Sequence, residues 1–309
     1  MVKNLSPYTF LVTGGTGFVG SHLVEFLLDQ KARVITTYLD QDLKSYFMFK
    51  SLDRRVVMSH VDVCNFDLIF DLVTKYNIDF IFHLAAQPIV ETAYLNPRTT
   101  ILTNVQGTVN ILECARLTRR IKGLIVASSD KAYGKLTKTK YFEKDALRGD
   151  HPYDVSKSAA DLIAQAYHKT YGLPVVVTRF GNIYGEGDQN YSRIIPGIMR
   201  AIITGETLQI RSDGKSVRDY LYVKDVVLGY YLLFKNLSKL VGEVFNFGSE
   251  ETLSVLEVIK IVERTLGLRV PYEILNIAQN EAFYQSLDYS KVKKSIKWQP
   301  QHKLNLVIK

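Results

Sequence analysis

Two short clusters carry side chains able to move protons. Ser128-Ser129-Asp130-Lys131 follows the apolar run Leu124-Ile125-Val126-Ala127. Further along, Tyr153-Asp154-Val155-Ser156-Lys157 sets a phenol and an amine at i and i+4, a spacing that brings both to one face of a helix. An ammonium beside a phenol favours the phenolate and lowers its pKa, so Tyr153 with Lys157 is suited to act as a base near neutral pH. Ser129 adds a hydroxyl and Asp130 a carboxyl at the end of the preceding apolar run. Taken alone, Tyr-x-x-x-Lys equally describes a structural pair on a helix. Its chemical weight comes from what lies upstream.

These groups need a scaffold, and the chain predicts one. Residues 8–13 read as an apolar strand running into Gly14-Gly15-Thr16-Gly17-Phe18-Val19-Gly20, then into a helical pattern over 21–30 with Leu23, Val24, Leu27 and Leu28 inward. In that context the glycines predict a dinucleotide site. Gly14 supplies a positive φ, Gly17 lets backbone N–H groups approach a pyrophosphate, and Gly20 lets the helix lie close to the strand. A second strand, 33–38, leads to Asp40, the candidate for the adenine ribose hydroxyls, although it falls slightly late and Tyr38 holds the position where the acid is expected. No arginine follows at once to receive a 2′-phosphate, which favours NAD over NADP. A third strand, 56–61, ends at Asp62-Val63, where the carboxylate either reaches an adenine amine or caps the helix at 67–76.

The fourth strand, 80–86, closes on Leu84-Ala85-Ala86, small enough to leave room for a cofactor, and its His83 reads as core packing. A long helix at 97–117, the fifth strand leading to Ser128, a helix at 153–171 and a sixth strand at 175–180 continue the alternation. Short strands alternating with helices predict an α/β fold, a doubly wound parallel Rossmann sheet over residues 1–180. Ligands bind such sheets at the carboxyl ends of the strands, where Gly14, Ser129 and Asp130 all fall. After Arg179 turn formers multiply, and 244–248 reads as a strand returning to the main sheet. Residues 181–309 are therefore expected to form a smaller, interleaved C-terminal substrate lobe.

The bulk properties bound the rest. A chain of 309 residues can bury a substantial core, and 47% hydrophobic with 23% charged residues is ordinary for a globular protein. The net charge of +8 is spread along the chain, which argues for a solvated surface or an anionic small ligand and against nucleic acid. Cys64 and Cys114, the two cysteines, lack metal-ligand spacing and read as free thiols. The N-terminal residues lead directly into a strand, and no apolar run approaches a membrane span, so a cytoplasmic, membrane-free protein is expected.

The motifs together resemble the extended short-chain dehydrogenase/reductases that act on nucleotide sugars, over residues 13–20, 83–87, Asn104, 128–134, 153–157, 179–185 and 211–225. Within that class the chain is similar to nucleotide-sugar 4,6-dehydratases, most of all the CDP-glucose type. The strings that carry this are Ser128-Ser129-Asp130-Lys131-Ala132-Tyr133-Gly134, His151-Pro152-Tyr153-Asp154-Val155-Ser156-Lys157-Ser158, and Gly185-Glu186-Gly187-Asp188 with Arg193-Ile194-Ile195-Pro196-Gly197. The resemblance implies an NAD-retaining hydro-lyase of deoxysugar biosynthesis that converts a nucleotide sugar to its 4-keto-6-deoxy form.

It implies that Tyr153 takes the proton of the sugar 4-hydroxyl, that Ser129 hydrogen-bonds the 4-oxygen where many relatives have Thr, and that Asp130 is the acid for the departing 6-hydroxyl. Lys131 stands where many dTDP-glucose and GDP-mannose dehydratases have Glu. It either removes the C5 proton as a neutral amine or stays charged and stabilises the enolate. The implied cofactor contacts are Gly14, Thr16, Gly17, Phe18, Val19, Asp40, Asp62, Val63, Leu84, Ala85, Ala86, Tyr153 and Lys157. The implied substrate contacts are Gln87, Asn182, Arg193, Arg211 and Arg218, for which a surface ion pair is the competing reading of each arginine. No metal is expected. Family members pair the helices corresponding to 97–117 and 153–171 into a homodimer, and simple C4-epimerases or reductases share the scaffold.

Overall fold

The computed structural model describes residues 4–277 and 282–309. The first strand, β1 (Thr9–Thr13), is buried throughout and enters helix α1 (Phe18–Asp29) through the glycine turn. Gly14 has φ +68, and a Cβ there would lie 2.8 Å from the Ala85 backbone. A Cβ on Gly20 would meet the Gly14 carbonyl oxygen at 2.2 Å, so the first turn of α1 rests directly on the turn below it. Gly20→Val is accordingly expected to push α1 off β1, costing roughly 2–3 kcal/mol and lowering the urea midpoint of unfolding. An unchanged midpoint would show that the helix has room to move.

The main sheet is completed by β2 (Arg33–Tyr38), β3 (Val57–His60), β4 (Phe80–His83), β5 (Gly123–Ala127), β6 (Val175–Phe180) and β7 (Val244–Phe247). Seven strands run in the order β7-β6-β5-β4-β1-β2-β3, and every pairing is parallel. Both faces are covered. On one side Leu23, Val24 and Leu27 of α1 pack with Val226, Tyr230 and Leu233 and with the buried Trp298. On the other, Ile69, Leu72 and Val73 of α2 (Phe66–Lys75), Ile111 and Leu112 of α3 (Gly107–Thr118) and Ala164 of α4 (Pro152–Tyr171) form a second core. The doubly wound α/β reading holds. The order reverses between β1 and β4, and such a switch point leaves a crevice at the strand ends.

The helix expected at 97–117 is not one regular helix. Pro97–Ile101 is α-helical, Leu102–Gln106 widens into a π-turn, and α3 follows. A wide turn accommodates one extra residue, which a 3.6-residue periodicity does not register. The π-turn carries the buried Asn104, whose Oδ1 accepts from Gln87 N at 2.8 Å and whose Nδ2 donates to Ser156 Oγ at 2.9 Å. Just beyond it, Gly107 sits against Val63, where a Cβ would come within 2.7 Å of Val63 Cγ2.

A smaller lobe has its own core, including Tyr184, Ile198, Ile210, Tyr220, Ile259 and Val262. Its sheet is built on Val217–Tyr222, paired with Asn182–Tyr184, Thr252–Ser254 and Tyr284–Leu287. The lobes exchange strands. Lys140–Tyr141 leaves the first lobe to pair with Tyr284–Leu287, while β7 returns to the edge of the main sheet. Arg179, 1% exposed, binds this junction together. Its Nε and Nη2 donate to both Asp161 oxygens, and Nη1 donates to Tyr133 Oη at 2.7 Å and to Glu143 O. Among the described residues no helix is long and apolar enough to cross a membrane.

Candidate active site

The end of β5 delivers the first cluster. Ser129 caps a 3-10 turn, Asp130–Tyr133, with its Oγ accepting from Lys131 N and donating to Asp130 Oδ1 at 2.9 Å. Asp130 is 5% exposed. Helix α4 begins with Pro at its first position and brings Tyr153 and Lys157 to the same place. Ser129 hydrogen-bonds the Tyr153 phenol, and Lys157 Nζ donates to Ala127 O at 2.9 Å. Ser129, Asp130, Lys131, Tyr153 and Lys157 thus line one cavity of about 410 Å³. Asn182, Arg193 and Arg218 line it too, with Tyr184, Tyr220 and Tyr230.

The electrostatics differ from the expected pairing. Burial pushes the Tyr153 phenol up to about 12, the Asp130 carboxylate adds to this, and Ser129 and Arg193 pull only partly back. Burial acts on the amine as well: Lys157 falls to about 8, with Asp161 opposing the fall. This burial predicts a trade between function and stability. The unfolded chain holds the Lys157 proton up to its ordinary value of 10.5, so the folded state bears the full penalty below about pH 8 and sheds it between 8 and 10.5. Lys157→Met should therefore raise stability at neutral pH by about 1–2 kcal/mol, after the lost bond to Ala127 is set against it. It should also flatten the rise in stability across that window. Urea titrations at pH 7 and 10 check both.

Beside the cavity runs a groove lined by Gly14, Thr16, Gly17, Phe18, Val19, Gly20, Thr37, Tyr38, Leu39, Asp40, Val61, Val63 and the Leu84-Ala85-Ala86 segment. Val19, Leu84, Ala86 and Arg193 line both spaces, so the two adjoin. The N-terminus of α1 has no side-chain cap and no acid in its first turn, which leaves its N–H groups to an anion. A cradle of this shape, closed to any Cβ at Gly14 and Gly20, fits a dinucleotide pyrophosphate. Thr37, Tyr38, Leu39 and Asp40 at the far end offer a carboxylate and no cation, which fits a free ribose hydroxyl.

Two residues expected as contacts also bond within the protein. Gln87 is engaged within its own segment: Nε2 donates to Ile89 O and Thr100 Oγ1, and Oε1 accepts from Ile89 N. Asp62 is exposed past the end of β3, with Oδ1 accepting from Cys64 N, and the following helix is capped by Asn65 instead. Arg211 lies outside the main cavity and pairs with Glu91 across an adjoining recess. His83 is core, as expected: between Thr13 and Thr108 hydroxyls, burial takes its pKa down to about 3 and keeps it neutral. Sequence reasoning missed Gln285, whose Oε1 accepts from Lys131 Nζ at 2.8 Å and whose Nε2 donates to Asp130 O at 2.9 Å. No local spacing marks it; only the strand pairing of the second lobe brings it there.

A sequence model of the family described as GDP-mannose 4,6 dehydratase matches residues 11–309. The chain belongs to this family. The dTDP-glucose 4,6-dehydratase of Haemophilus influenzae is 31% identical, over 94% of this chain and 93% of that protein. The dTDP-glucose 4,6-dehydratase DesIV of Streptomyces venezuelae, solved with NAD bound, superposes with a TM-score of 0.88 at 28% identity over 97% and 95% of the two chains. The UDP-glucuronic acid 4-epimerase of Bacillus cereus, solved with UDP-glucuronic acid and NAD, gives 0.89 at 25% identity over 97% and 96%. Dehydratases and 4-epimerases of nucleotide sugars thus share this architecture.

Proposed function

We propose that this protein is an NAD-dependent nucleotide-sugar 4,6-dehydratase of the CDP-glucose type. The observation that carries the reading is Asp130: a buried carboxyl, linked through Ser129 to Tyr153, in a cavity adjoining a groove suited to a dinucleotide. Inversion at C4 needs a base for the 4-hydroxyl but no acid for a leaving group. Loss of water needs both. The Asp130-Lys131 pair, in place of Asp-Glu, resembles the CDP-glucose enzymes and also the dehydratases that invert C5; the first resemblance supports CDP-glucose as substrate.

Bound NAD would supply a positive ring beside Tyr153, accept hydride from C4 and return it to C6. Tyr153 takes the proton of the 4-hydroxyl, and Ser129 donates to the 4-oxygen as it becomes a ketone. The ketone acidifies C5–H. Asp130 gives its proton to the departing 6-oxygen, so that water leaves as the C5 proton passes to a base, either Lys131 as a neutral amine or another group while a charged Lys131 stabilises the enolate. Asn182, Arg193, Arg211 and Arg218 face the cavity or the recess beside it, where they suit a diphosphate. The exposed apolar residues Ile101, Leu102, Val155 and Leu162 on helices 97–118 and 152–171 favour a homodimer through those helices, which light scattering on the purified protein tests.

The test of function is incubation with CDP-, dTDP-, GDP- and UDP-glucose. Loss of one water by mass, with the alkali-induced absorbance of a 4-keto sugar, is expected with CDP-glucose. Retention of water with every donor would end the dehydratase reading. C4 inversion without water loss would establish the alternative, a 4-epimerase, which the likeness to the Bacillus cereus structure keeps in view.

A further inference from the structure

Lys131 serves the C5 step either as base or as cation, and both roles need its Nζ held at the cavity wall against the freedom of a long, flexible stem. We propose that Gln285 is the positioning residue for Lys131: an amide brought in by the second lobe holds the ammonium where it borders the catalytic cavity. Its part in turnover rests on the dehydratase reading, whereas the contact itself does not.

The strand Tyr284–Leu287 is tied down along both edges. Arg218 is the register partner of Gln285 on one side, and Lys140 and Tyr141 pair with Ser286 and Leu287 on the other. Alternation puts Gln285 and Leu287 on one face of the strand. Leu287, 1% exposed, joins a small apolar cluster with Tyr133 and Tyr141, and Tyr133 ends the turn Asp130–Tyr133. The same face therefore packs on the turn that carries Lys131, with the buried Gln285 against its first two residues.

Both ends of the amide are used. Nε2 donates to Asp130 O at 2.9 Å, and Oε1 accepts from Lys131 Nζ at 2.8 Å. Chemistry permits only this orientation, because a carbonyl oxygen accepts and an ammonium donates; the flipped amide would set oxygen against oxygen and NH2 against ammonium. Asp130 O is thus the anchor that aims Oε1 at Lys131. The turn is fixed from its other side as well. Ser158 Oγ of α4 lies 2.7 Å from Ala132 O, Ser129 O accepts from Ala132 N, and Lys131 O accepts from Gly134 N. A carboxylate at 285 would keep an acceptor for Nζ but stand against Asp130 O, and an aliphatic side chain would make neither bond. The amide is also neutral, so the Lys131 charge is kept for the cavity and the recess that this residue borders.

A double-mutant cycle separates a contact that works through Lys131 from general support of the fold. Gln285→Leu should reduce kcat about 10²-fold with KM little changed. Reduced nicotinamide should build up on mixing, since oxidation at C4 uses Tyr153 and Ser129. In the Lys131→Met background the same substitution should lower kcat no further. A loss that recurs undiminished in that background overturns the proposal, as does an unchanged kcat in Gln285→Leu alone. Should Gln285→Leu fail to fold, Gln285→Met makes the same comparison. Urea midpoints of the same proteins read the pairing without substrate: the shift caused by Gln285→Leu should shrink in the Lys131→Met background, and equal shifts in the two backgrounds overturn it. Failure of every nucleotide sugar to lose water would therefore sink the dehydratase reading, and the midpoint cycle would still decide whether Gln285 holds Lys131.

Discussion

Asp130→Asn is expected to stop water elimination, reducing turnover about 10³-fold, while oxidation at C4 continues. The substitution is nearly isosteric. An amide oxygen can still accept from Ser129 Oγ, as Asp130 Oδ1 does at 2.9 Å, so the bridge to Tyr153 survives. The proton for the departing 6-oxygen does not. Reduced nicotinamide absorbance should therefore build up on mixing with substrate, with no alkali-labile 4-keto-6-deoxy product. Dehydration at the normal rate would remove Asp130 from the acid role, and with it the main reason to separate this chain from the 4-epimerases.

The second large effect is on stability. Asp161→Ala should cost about 3–5 kcal/mol, because it leaves the Arg179 guanidinium buried without its partner. Arg179 and Asp161 are 1% and 0% exposed, and their two hydrogen bonds, at 2.8 and 2.9 Å, form a bidentate pair. The loss reaches further than one pair. Arg179 also lies over the Tyr133 ring at 4.7 Å and donates to its hydroxyl, which donates in turn to Asn246 of β7. It also removes the carboxylate that holds Lys157 up against burial. Equilibrium urea unfolding measures the cost. The double replacement Arg179→Met with Asp161→Leu should lose less than Asp161→Ala alone, since no charge is then stranded. Equal losses would mean that packing, and not the unpaired guanidinium, sets the cost.

How far the chain can be read without coordinates depends on how local each feature is. Gly14 and Gly20 are needed within one turn of backbone, and both appear where the glycine spacing puts them, one in positive φ and one in the first turn of a helix pressed onto it. Tyr153 and Lys157 meet because a helix brings i and i+4 together, whatever surrounds it. Strand alternation is likewise local, and the sheet order follows from it with few choices left.

What the sequence leaves open is set by distant partners. Asn104 turns inward because an extra residue widens its helix, and Gln87 turns away because Thr100 and Ile89 take its amide. Gln285 reaches Lys131 from 154 residues away through a strand of the second lobe. The direction of the Tyr153 shift was likewise out of reach: spacing says that an amine is near, but burial acts on phenol and amine together and decides which charge survives. Residue order within a turn of helix or a glycine loop thus determined the fold class, the dinucleotide groove and the Ser129-Asp130-Tyr153-Lys157 set. Only tertiary packing decided what surrounds Lys131, because dielectric and counter-ions are properties of the whole assembled interior and of no single segment.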